Sequence, residues 1–290
     1  MLKKILITGG MGQLGASLYS DFSNSYHVIN TSRRASSNSV ELDVSNSFEV
    51  ENKLDKYNPD FIFNCASYNS VDDCENNREY ARAVIVGGLK NLVKFSNKNC
   101  KIVHISSDYI FNGQKGNYSE LDSPDPINYY GKLKLEAENF LRASNRDFVI
   151  LRCSVLFSGF LNNKSNFLGW VYNNLKDGKK VKIVDDQYSN PCPVQLLSKS
   201  LSLIIALNMK DIFNIGSLDS ISRYEFALKV CERFKLNQSL IQKIKSDSLN
   251  QSAIRPKNTY LSIDKISNEL DIDIYSLDYY LDNIIEGNYE

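Results

Sequence analysis

Two side chains in residues 128–138 have the types and the spacing for proton transfer. Pro126 precedes this segment, and Lys, Leu, Glu and Ala dominate it, so the sequence predicts a helix from about Tyr129. Tyr130 and Lys134 then lie one turn apart on the same helix face. A neighbouring ammonium lowers the pKa of a phenol from its usual value of about 10. Tyr130 is therefore a candidate general acid or base, although this spacing alone is also typical of a solvated helix face.

A glycine-rich turn near the start of the chain has a spacing that suits a phosphate group. Residues 5–8 form a short apolar β pattern, three glycines follow as G-x-x-G-x-x-G, and an amphipathic segment extends to about residue 22. In a strand, turn and helix of this kind, backbone N–H groups and a helix N-terminus can hold a pyrophosphate. The alternative is a turn with only a structural role. The residues expected to contact a dinucleotide are Gly9, Gly12, Gln13, Leu14 and Gly15.

The residues at the end of the second predicted strand bear on the choice of dinucleotide. The position that contacts the adenosine ribose lies about 20 residues after the first glycine. Here it reads Ser32, Arg33 and Arg34, without a carboxylate. A hydroxyl and two guanidinium groups suit a 2′-phosphate, so we expect NADPH; the alternatives are solvated loop arginines and NADH. Asp43 and Val44 end the third strand, where Asp43 could accept from the adenine amino group or cap the next helix.

Strand and helix patterns alternate through the first half of the chain. The predicted strands are residues 27–31, 40–42, 61–64, 102–106 and 148–151, and the predicted helices lie near 46–56, 75–97 and 129–143. Alternation of this kind predicts an α/β fold of the Rossmann type, a doubly wound parallel sheet with helices on both faces. In the second half we expect a helix through 170–175, strands at 181–184 and 212–215, and helices at 194–207, 222–235 and 276–286.

This change of pattern suggests two regions. Residues 1–156 are predicted to form the dinucleotide-binding domain, joined by parts of 185–216. Residues 157–290 are predicted to form mainly a smaller α/β lobe that binds the substrate.

Small side chains follow two of the buried strands, at the sheet edge where a ligand can approach closely. They are Cys65, Ala66 and Ser67 after the 61–64 strand and Ser107 after the 102–106 strand. We expect these residues to face the cofactor crevice. His104 lies inside its strand, which fits a packing residue better than a catalyst.

Composition narrows the class of partner. The 34 basic and 34 acidic residues leave no net charge and form no long runs, so the electrostatic footprint of a nucleic-acid or anionic-membrane binder is missing. Six scattered cysteines without a C-x-x-C pair, and only two histidines, do not suggest a metal site, and we expect reduced thiols. No segment has the length of a signal-peptide core or a bilayer span. We therefore expect a cytoplasmic protein with a small-molecule substrate.

The ordered motifs resemble those of extended short-chain dehydrogenases/reductases, and most closely those of the dTDP-4-dehydrorhamnose reductases. They are T-G-G-M-G-Q-L-G at 8–15, S-S-D-Y-I-F at 106–111, Y-x-x-x-K at 130–134, V-D-D-Q at 184–187 and R-P at 255–256. The resemblance implies that Ser107 supplies the catalytic hydroxyl, that Tyr130 is the acid and that Lys134 binds the nicotinamide ribose. It also implies that Asp108 and Tyr109 line a sugar pocket.

Two positions bear on the substrate. The rhamnose reductases commonly carry a Trp three residues beyond the Arg that closes the sixth strand, whereas here Arg152 leads to Val155, which leaves the hexose open. Their catalytic hydroxyl is usually Thr and here is Ser. Arg255 is our candidate for a contact with the nucleotide diphosphate; the alternative is a surface arginine without such a role.

The reaction implied by the resemblance is reduction of a keto group on a nucleotide-linked 4-keto-6-deoxy sugar, as in deoxysugar and polysaccharide biosynthesis. One alternative is an epimerase/reductase resembling GDP-fucose synthase; that type has Cys after its Ser-Ser pair and a His in the second lobe, whereas here Asp108 follows and no His comes after His104. Another is a non-catalytic regulatory subunit resembling the methionine adenosyltransferase β subunit. The resemblance also suggests a homodimer, paired through the helices near 75–97 and 129–143.

Overall fold

A largely parallel sheet forms the centre of the computed structural model, which describes residues 2–159, 161 and 166–288. In chain order the strands are β1 (Lys4–Thr8), β2 (His27–Ser32), β3 (Val40–Glu41), β4 (Phe61–Asn64), β5 (Lys101–Ser107), β6 (Phe148–Phe157), β7 (Val181–Val184), β8 (Tyr188–Ser189), β9 (Pro191–Pro193), β10 (Asp211–Ile215), β11 (Ile221–Ser222) and β12 (Ile241–Ile244). The residues of β4 and β5 are all buried, as expected of central strands in a sheet that is covered on both faces.

Helices cover this sheet. They are α1 (Gln13–Phe22), α2 (Ser47–Tyr57), α3 (Val71–Asn76), α4 (Arg78–Arg82), α5 (Gly88–Phe95), α6 (Tyr129–Ala143), α7 (Phe167–Lys176), α8 (Val194–Ala206), α9 (Arg223–Arg233), α10 (Asp264–Leu270) and α11 (Leu277–Ile285). Ala83–Gly87 forms a π-helical turn, and 3₁₀ turns lie at Asp108–Ile110, Gln238–Leu240 and Ser246–Ser248. Asn128 caps α6 by accepting from the Gly131 N–H at 2.8 Å, so the helix begins where the sequence predicts.

The strand order of the main sheet is β3-β2-β1-β4-β5-β6-β10, and β9 also pairs with β6. Every pairing in this sheet is parallel. The chain moves outward from β1 to β3 and then returns to β4 on the other side of β1. A crevice forms at such a switch point, outside the carboxyl ends of the strands. The predicted Rossmann-type α/β fold is confirmed.

The second half of the chain is packed onto the first. Strand β10 extends the main sheet through β6, while β7 with β12 and β8 with β11 form two small sheets. One cluster of buried side chains runs from Ile7 in β1 through Phe157 at the end of β6 to Phe226 in α9 and Leu281 in α11. A shared core of this kind fixes the position of the second half relative to the sheet.

The helix predicted near 75–97 is wrong as a single element. The structure divides the stretch from Val71 to Phe95 into α3, α4, the π-helical turn and α5. Asn77 has φ −125° and ψ 57°, outside the helical region, and separates α3 from α4. The sequence analysis also missed β8, β9, β11, β12 and α10. The four strands have two to four residues each, so their pairing depends on tertiary contacts more than on a local pattern.

The structure bears on two predictions, one about bilayer-spanning segments and one about the cysteine thiols. Within the described ranges, no helix combines the length and apolar character that crossing a bilayer requires. The six cysteines are free thiols, and all except Cys65 are buried.

A buried ion pair joins α6 to the sheet. Glu138 and Arg152 are 0% and 2% exposed, and the Arg152 Nη2 and Nε atoms donate to the two carboxylate oxygens of Glu138, with the closest contact at 2.7 Å. The Ser106 hydroxyl in β5 donates to the same carboxylate at 2.5 Å. Since Glu138 follows Tyr130 and Lys134 at intervals of four residues, all three side chains lie on the helix face that is turned to the sheet.

We expect Glu138→Gln to destabilise the fold, because it keeps the shape of the side chain but leaves the Arg152 guanidinium buried without its hydrogen-bonded carboxylate. Breaking a buried pair in this way costs about 3–5 kcal/mol of unfolding free energy, measurable by urea denaturation. Glu136→Gln on the same helix is the matched control, since its pair with Arg82 is 35% and 50% exposed. The control should lose less than about 1 kcal/mol. Equal losses would contradict a special role for the buried pair.

Candidate active site

A cavity of about 450 Å³ lies at the carboxyl ends of the central strands, between the glycine turn and α6. The residues of the sequence analysis that line it are Gly9, Gly12, Gln13, Leu14, Gly15, Cys65, Ser67, Ser107, Asp108, Tyr109, Tyr130, Lys134 and Val155. The predicted residues outside its lining are Ser32, Arg33, Arg34, Asp43, Val44, Ala66 and Arg255. The cavity thus brings the glycine turn, the catalytic candidates and the predicted sugar pocket together.

The glycine turn has the geometry of a phosphate cradle. Gly9 has φ +65°, and a Cβ added there would come within 2.9 Å of the Ala66 backbone. Only glycine allows this close approach between the turn and the end of β4. At Gly12, which precedes α1, no side chain caps the helix and no acidic residue occupies its first turn. The first N–H groups of α1 are therefore left for a ligand with negative charge.

Tyr130 is 9% exposed, and burial raises the pKa of its hydroxyl well above the ordinary value. A hydrogen bond with Ser107 acts in the opposite direction, but burial has the larger effect. The expected lowering of this pKa by Lys134 is therefore not found in the protein alone. The Lys134 Nζ lies 5.6 Å from the centre of the phenol ring and donates to the Ile105 carbonyl oxygen at 3.0 Å. Tyr130 is consequently a protonated phenol, which is the state that a proton donor needs.

Lys134 keeps its charge although it is buried. The side chain is 3% exposed, and burial lowers its pKa to about 8. At pH 7 the ammonium form therefore still predominates. One of its three N–H groups is used by Ile105, which leaves two donors at the cavity wall.

Ser107 lies at the end of β5, where it is hydrogen-bonded on both sides. Its Oγ donates to Oδ1 of Asp108 at 3.0 Å and accepts from the Tyr109 N–H at 3.1 Å. Asp108 is 4% exposed, and its other carboxylate oxygen accepts from the Thr259 hydroxyl. Burial raises the Asp108 pKa to about 6, against the lowering effects of the hydrogen bonds from Thr259 and Ser107 and of the Arg223 charge.

Close backbone packing sets the position of Tyr130 relative to this loop. A Cβ added at Gly131 would lie 2.1 Å from the Tyr109 carbonyl oxygen. Only glycine at this position therefore lets the start of α6 approach the 3₁₀ turn so closely. The Tyr109 ring meets the Tyr130 ring edge to face at 6.1 Å. Tyr109 thus contacts the proposed acid as well as lining the cavity.

Val155 has an unusual backbone conformation at the cavity wall. Its φ is +39°, which is costly for a β-branched residue, and the pairing of β6 with β9 shifts register between Ser154 and Leu156. The Ser154 hydroxyl donates to the Asn190 carbonyl oxygen at 2.6 Å, which fixes the strand beside it. The smaller side chain that replaces the family's Trp is thereby held in the lining of the cavity.

The predicted adenosine end lies outside this cavity at the ends of β2 and β3. Arg33 and Arg34 are exposed, and the Arg33 guanidinium donates to the Tyr80 hydroxyl at 2.5 Å. The Ser32 hydroxyl is buried against Ser39 at 2.8 Å. The backbone links this region to the glycine turn through a 2.7 Å hydrogen bond from Gly10 to Thr31. A cofactor that extends from the turn toward β2 would meet these arginines.

Asp43 and Val44 have local structural contacts. Oδ1 of Asp43 accepts from the N–H and the hydroxyl of Ser45, at 2.9 and 2.6 Å. The side chain of Asn46, not that of Asp43, caps α2, so the alternative role considered for Asp43 is wrong. Val44 is buried. Neither observation tests the predicted contacts with the adenosine.

Arg255, the predicted diphosphate contact, is paired with an acidic side chain. It lies outside the cavity lining and forms a two-point ion pair with Asp72, with both contacts at 2.6 Å. Arg223, at the start of α9, lines the cavity instead and was missed by the sequence analysis. Its guanidinium lies 5.3 Å from the Phe167 ring, and within the described part of the chain it forms no ion pair. Its sequence context, S-R-Y-E, predicts a helix start but does not indicate a cleft.

Comparison with known proteins gives related reductases and the beta subunit of methionine adenosyltransferase 2. The chain is 31% identical over 280 residues to a dTDP-4-dehydrorhamnose reductase of Aggregatibacter actinomycetemcomitans, covering 91% of this chain and 92% of that one. It is 28% identical over 273 residues to the methionine adenosyltransferase 2 subunit beta of Rattus norvegicus, covering 91% and 81%. A crystal structure of dTDP-4-dehydrorhamnose reductase from Bacillus anthracis in complex with NADP superposes with a TM-score of 0.90 at 25% identity, covering 99% and 100%.

The family is settled by the extent of one match. Residues 3–289 match the family model described as the RmlD substrate binding domain. This range includes the glycine turn, the residues on α6 and the whole second half of the chain. The resemblance stated from the motifs is therefore confirmed. The chain belongs to the RmlD substrate binding domain family, whose relatives described above include dTDP-4-dehydrorhamnose reductases.

Proposed function

We propose that the protein is an NADPH-dependent reductase of a nucleotide-linked 4-keto-6-deoxy sugar. The observation that carries this proposal is that Ser107, Tyr130 and Lys134 line one cavity with the glycine turn. The named activity of the Aggregatibacter relative and the NADP in the Bacillus structure support it. The chain's own residues fit the cofactor, since the uncapped start of α1 suits a pyrophosphate and the exposed Arg33 and Arg34 suit a 2′-phosphate.

When bound, NADPH supplies the hydride for the keto carbon. Tyr130 gives its proton to the oxygen of that carbonyl as negative charge develops there, and its raised pKa keeps the proton on the phenol until then. The ammonium of Lys134 would hold the ribose hydroxyls of the cofactor and would stabilise the phenolate that remains. Ser107 donates a hydrogen bond to the same substrate oxygen.

The substrate half of the cavity is lined by the Arg223 guanidinium, which hydrogen-bonds with the Tyr109 hydroxyl. Arg223 forms no ion pair among the described residues, whereas Arg255 is already paired with Asp72. A guanidinium without a carboxylate partner is suited to the diphosphate of a nucleotide sugar. We therefore prefer Arg223 to Arg255 as the phosphate contact. Asp108, Tyr109 and Val155 would lie nearer the sugar.

A regulatory subunit is the second candidate, because the chain is similar to the methionine adenosyltransferase 2 subunit beta over most of its length. The two candidate functions are distinguished by whether the protein turns over a substrate.

We would incubate the protein with NADPH and a panel of nucleotide-linked 4-keto-6-deoxy sugars and follow NADPH consumption and product configuration. Turnover with retained configuration at the neighbouring carbons supports the reductase, and inversion there supports the epimerase/reductase alternative. Tight NADPH binding without turnover on any sugar supports the regulatory subunit.

Two further proposals concern the oligomeric state of the protein and its location in the cell. We propose a homodimer that pairs through α3 to α6, the region where relatives are expected to pair. The outer side of this region carries charged side chains, among them Arg82 and Glu136. We also propose a cytoplasmic location.

We expect NADPH to bind more tightly than NADH, because Arg33 and Arg34 stand where an NAD enzyme would have a carboxylate. Replacing both arginines by Ala should weaken NADPH binding by about 1–3 kcal/mol, as expected for the loss of charged hydrogen bonds. NADH has no 2′-phosphate and serves as the internal control in fluorescence titrations. If the double variant bound NADPH and NADH more weakly by the same factor, the arginines would not be contacting the 2′-phosphate.

Tyr130→Phe should reduce kcat by roughly 10²–10⁴-fold, because the ring and its packing remain while the proton donor is lost. NADPH affinity should change little. Tyr129→Phe is the matched control, since it removes a hydroxyl one residue away that lies outside the cavity lining. Stopped-flow measurement of NADPH oxidation separates the two variants. Near-normal turnover in Tyr130→Phe would refute the mechanism.

Arg223→Met should weaken binding of the nucleotide sugar by about 1.5–3 kcal/mol, because the stem can still pack on Phe167 while the charge is lost. The KM for the sugar nucleotide should rise, and the Kd for NADPH should not. Arg255→Met is the comparison variant; it leaves Asp72 unpaired and should lower stability more than affinity. A larger rise in KM for Arg255→Met than for Arg223→Met would return the phosphate contact to Arg255.

A further inference from the structure

The hydroxyl of Ser107 has one hydrogen and three hydrogen-bond partners: the Asp108 carboxylate, the Tyr109 N–H and the Tyr130 hydroxyl. A carboxylate can only accept, whereas the protonated Tyr130 phenol can donate to Oγ. The Oγ atom donates to Oδ1 of Asp108 at 3.0 Å, while the Tyr109 N–H donates to Oγ at 3.1 Å. A serine hydroxyl cannot donate to two acceptors at once. For Ser107 to donate to a substrate oxygen, its bond to the Asp108 carboxylate has to be released.

The other oxygen of Asp108 is held by the second half of the chain. The Thr259 hydroxyl donates to Oδ2, and Thr259 is 2% exposed. The backbone around it is fixed, because the Thr259 N–H donates to the Tyr188 carbonyl at 2.9 Å and the Asn258 N–H donates to the Gly113 carbonyl at 3.0 Å. The Thr259 hydroxyl has no other hydrogen-bond partner among the described residues, whereas Ser107 faces the cavity, so a proton taken up by Asp108 is best placed on Oδ1, facing Ser107.

We propose that Asp108 and Thr259 are positioning residues that control the hydrogen of Ser107. With a carboxylate at Asp108, that hydrogen points away from the substrate oxygen. With a proton on Oδ1, Asp108 donates to Ser107 Oγ, and the Ser107 hydrogen turns toward the cavity. Thr259 ensures that Oδ1 and not Oδ2 carries the proton. The last step to the keto oxygen rests on the proposed function, whereas the chain from Thr259 through Asp108 to Ser107 does not.

Proton balance is simple in this arrangement. Asp108 takes its proton from solvent before the reaction and retains it through the turnover. The proton that ends on the new hydroxyl of the product comes from Tyr130. Asp108 and Thr259 therefore act through Ser107 and do not exchange atoms with the substrate.

The surroundings of Asp108 bring its protonation into an accessible pH range. Burial raises the Asp108 pKa to about 6, and the groups that lower it are Thr259, Ser107 and the Arg223 cation on α9. The other titratable groups that face it are Tyr109, Tyr130 on α6 and Cys153 on β6. All three are neutral near pH 7, since burial raises the pKa of each. Anionic ligands in the cavity would favour the protonated acid further.

The first test needs no substrate. Infrared spectra recorded across pH 4–9 should show one protonated carboxyl band that titrates near pH 6 and is absent from Asp108→Asn. Thr259→Val keeps the shape of the side chain but removes its hydroxyl, so the midpoint should rise by about 1 pH unit. Thr259→Ser is the matched control and should restore the original midpoint. A band that titrates at the same pH in Thr259→Val and in the unmodified protein would overturn the proposal.

The second test follows kcat with NADPH and a sugar-nucleotide substrate as the pH rises. In the unmodified enzyme kcat should fall as Asp108 loses its proton, and in Thr259→Val this fall should occur at higher pH. In Asp108→Asn the amide N–H donates to Ser107 at every pH, so this fall should vanish, while the separate loss from Lys134 deprotonation stays. Introducing Asp108→Asn into Ser107→Ala should not change the pH profile further. An unaltered fall in Asp108→Asn would overturn the proposal.

The two tests separate this inference from the proposed function. A protein that titrates as expected in the infrared spectrum but oxidises no NADPH contradicts the reductase activity alone. An active reductase contradicts the inference alone if Thr259→Val leaves the infrared midpoint unchanged and Asp108→Asn leaves the kcat profile unchanged. If Thr259→Val does not fold, Asp108→Asn still tests the proposal, through the loss of its infrared band and through its kcat profile.

Discussion

The buried ion pair between Glu138 and Arg152 is the interaction on which the site depends. It joins α6 to β6, and the hydrogen bond from Ser106 joins the same carboxylate to β5. Tyr130 and Lys134 stand two turns and one turn earlier on the same face of α6. Since a charge pair without water has narrow geometric requirements, it fixes both the rotation and the height of this helix. The reactive side chains are thus positioned by a buried carboxylate and a buried guanidinium that lie outside the cavity lining.

Burial, more than any single neighbouring charge, sets the protonation states in the cavity. It raises the Tyr130 pKa, lowers that of Lys134 to about 8 and raises that of Asp108 to about 6. Each shift favours the uncharged form, as expected where water is excluded. The phenol therefore keeps its proton until charge develops beside it, whereas Lys134 remains charged at neutral pH. Burial thus shifts the pKa of all three groups, and it leaves each of them in a different protonation equilibrium at neutral pH.

The sequence predicts those features that have a local pattern. Alternating strands and helices gave the Rossmann-type fold, and the four-residue spacing gave the shared face of Tyr130 and Lys134. It could not predict Arg223 or Thr259 in the site, because their positions depend on how short strands such as β8 and β11 pair across the chain. The four-residue spacing places an ammonium near Tyr130, but burial has the larger effect on the Tyr130 pKa, and burial depends on the packing of the whole chain.

The energetics of the cavity favour catalysis over simple binding. Lys134 and Asp108 are 3% and 4% exposed, and their pKa shifts mean that burying each charge destabilises the folded protein. Glycines, backbone N–H groups and surface arginines can bind a dinucleotide without such a cost. A fold that only held the cofactor would be more stable with an apolar group in place of Asp108, because of these two residues only Lys134 is proposed to contact the cofactor. The cost is explained if the buried charges act on a proton at Tyr130 and Ser107.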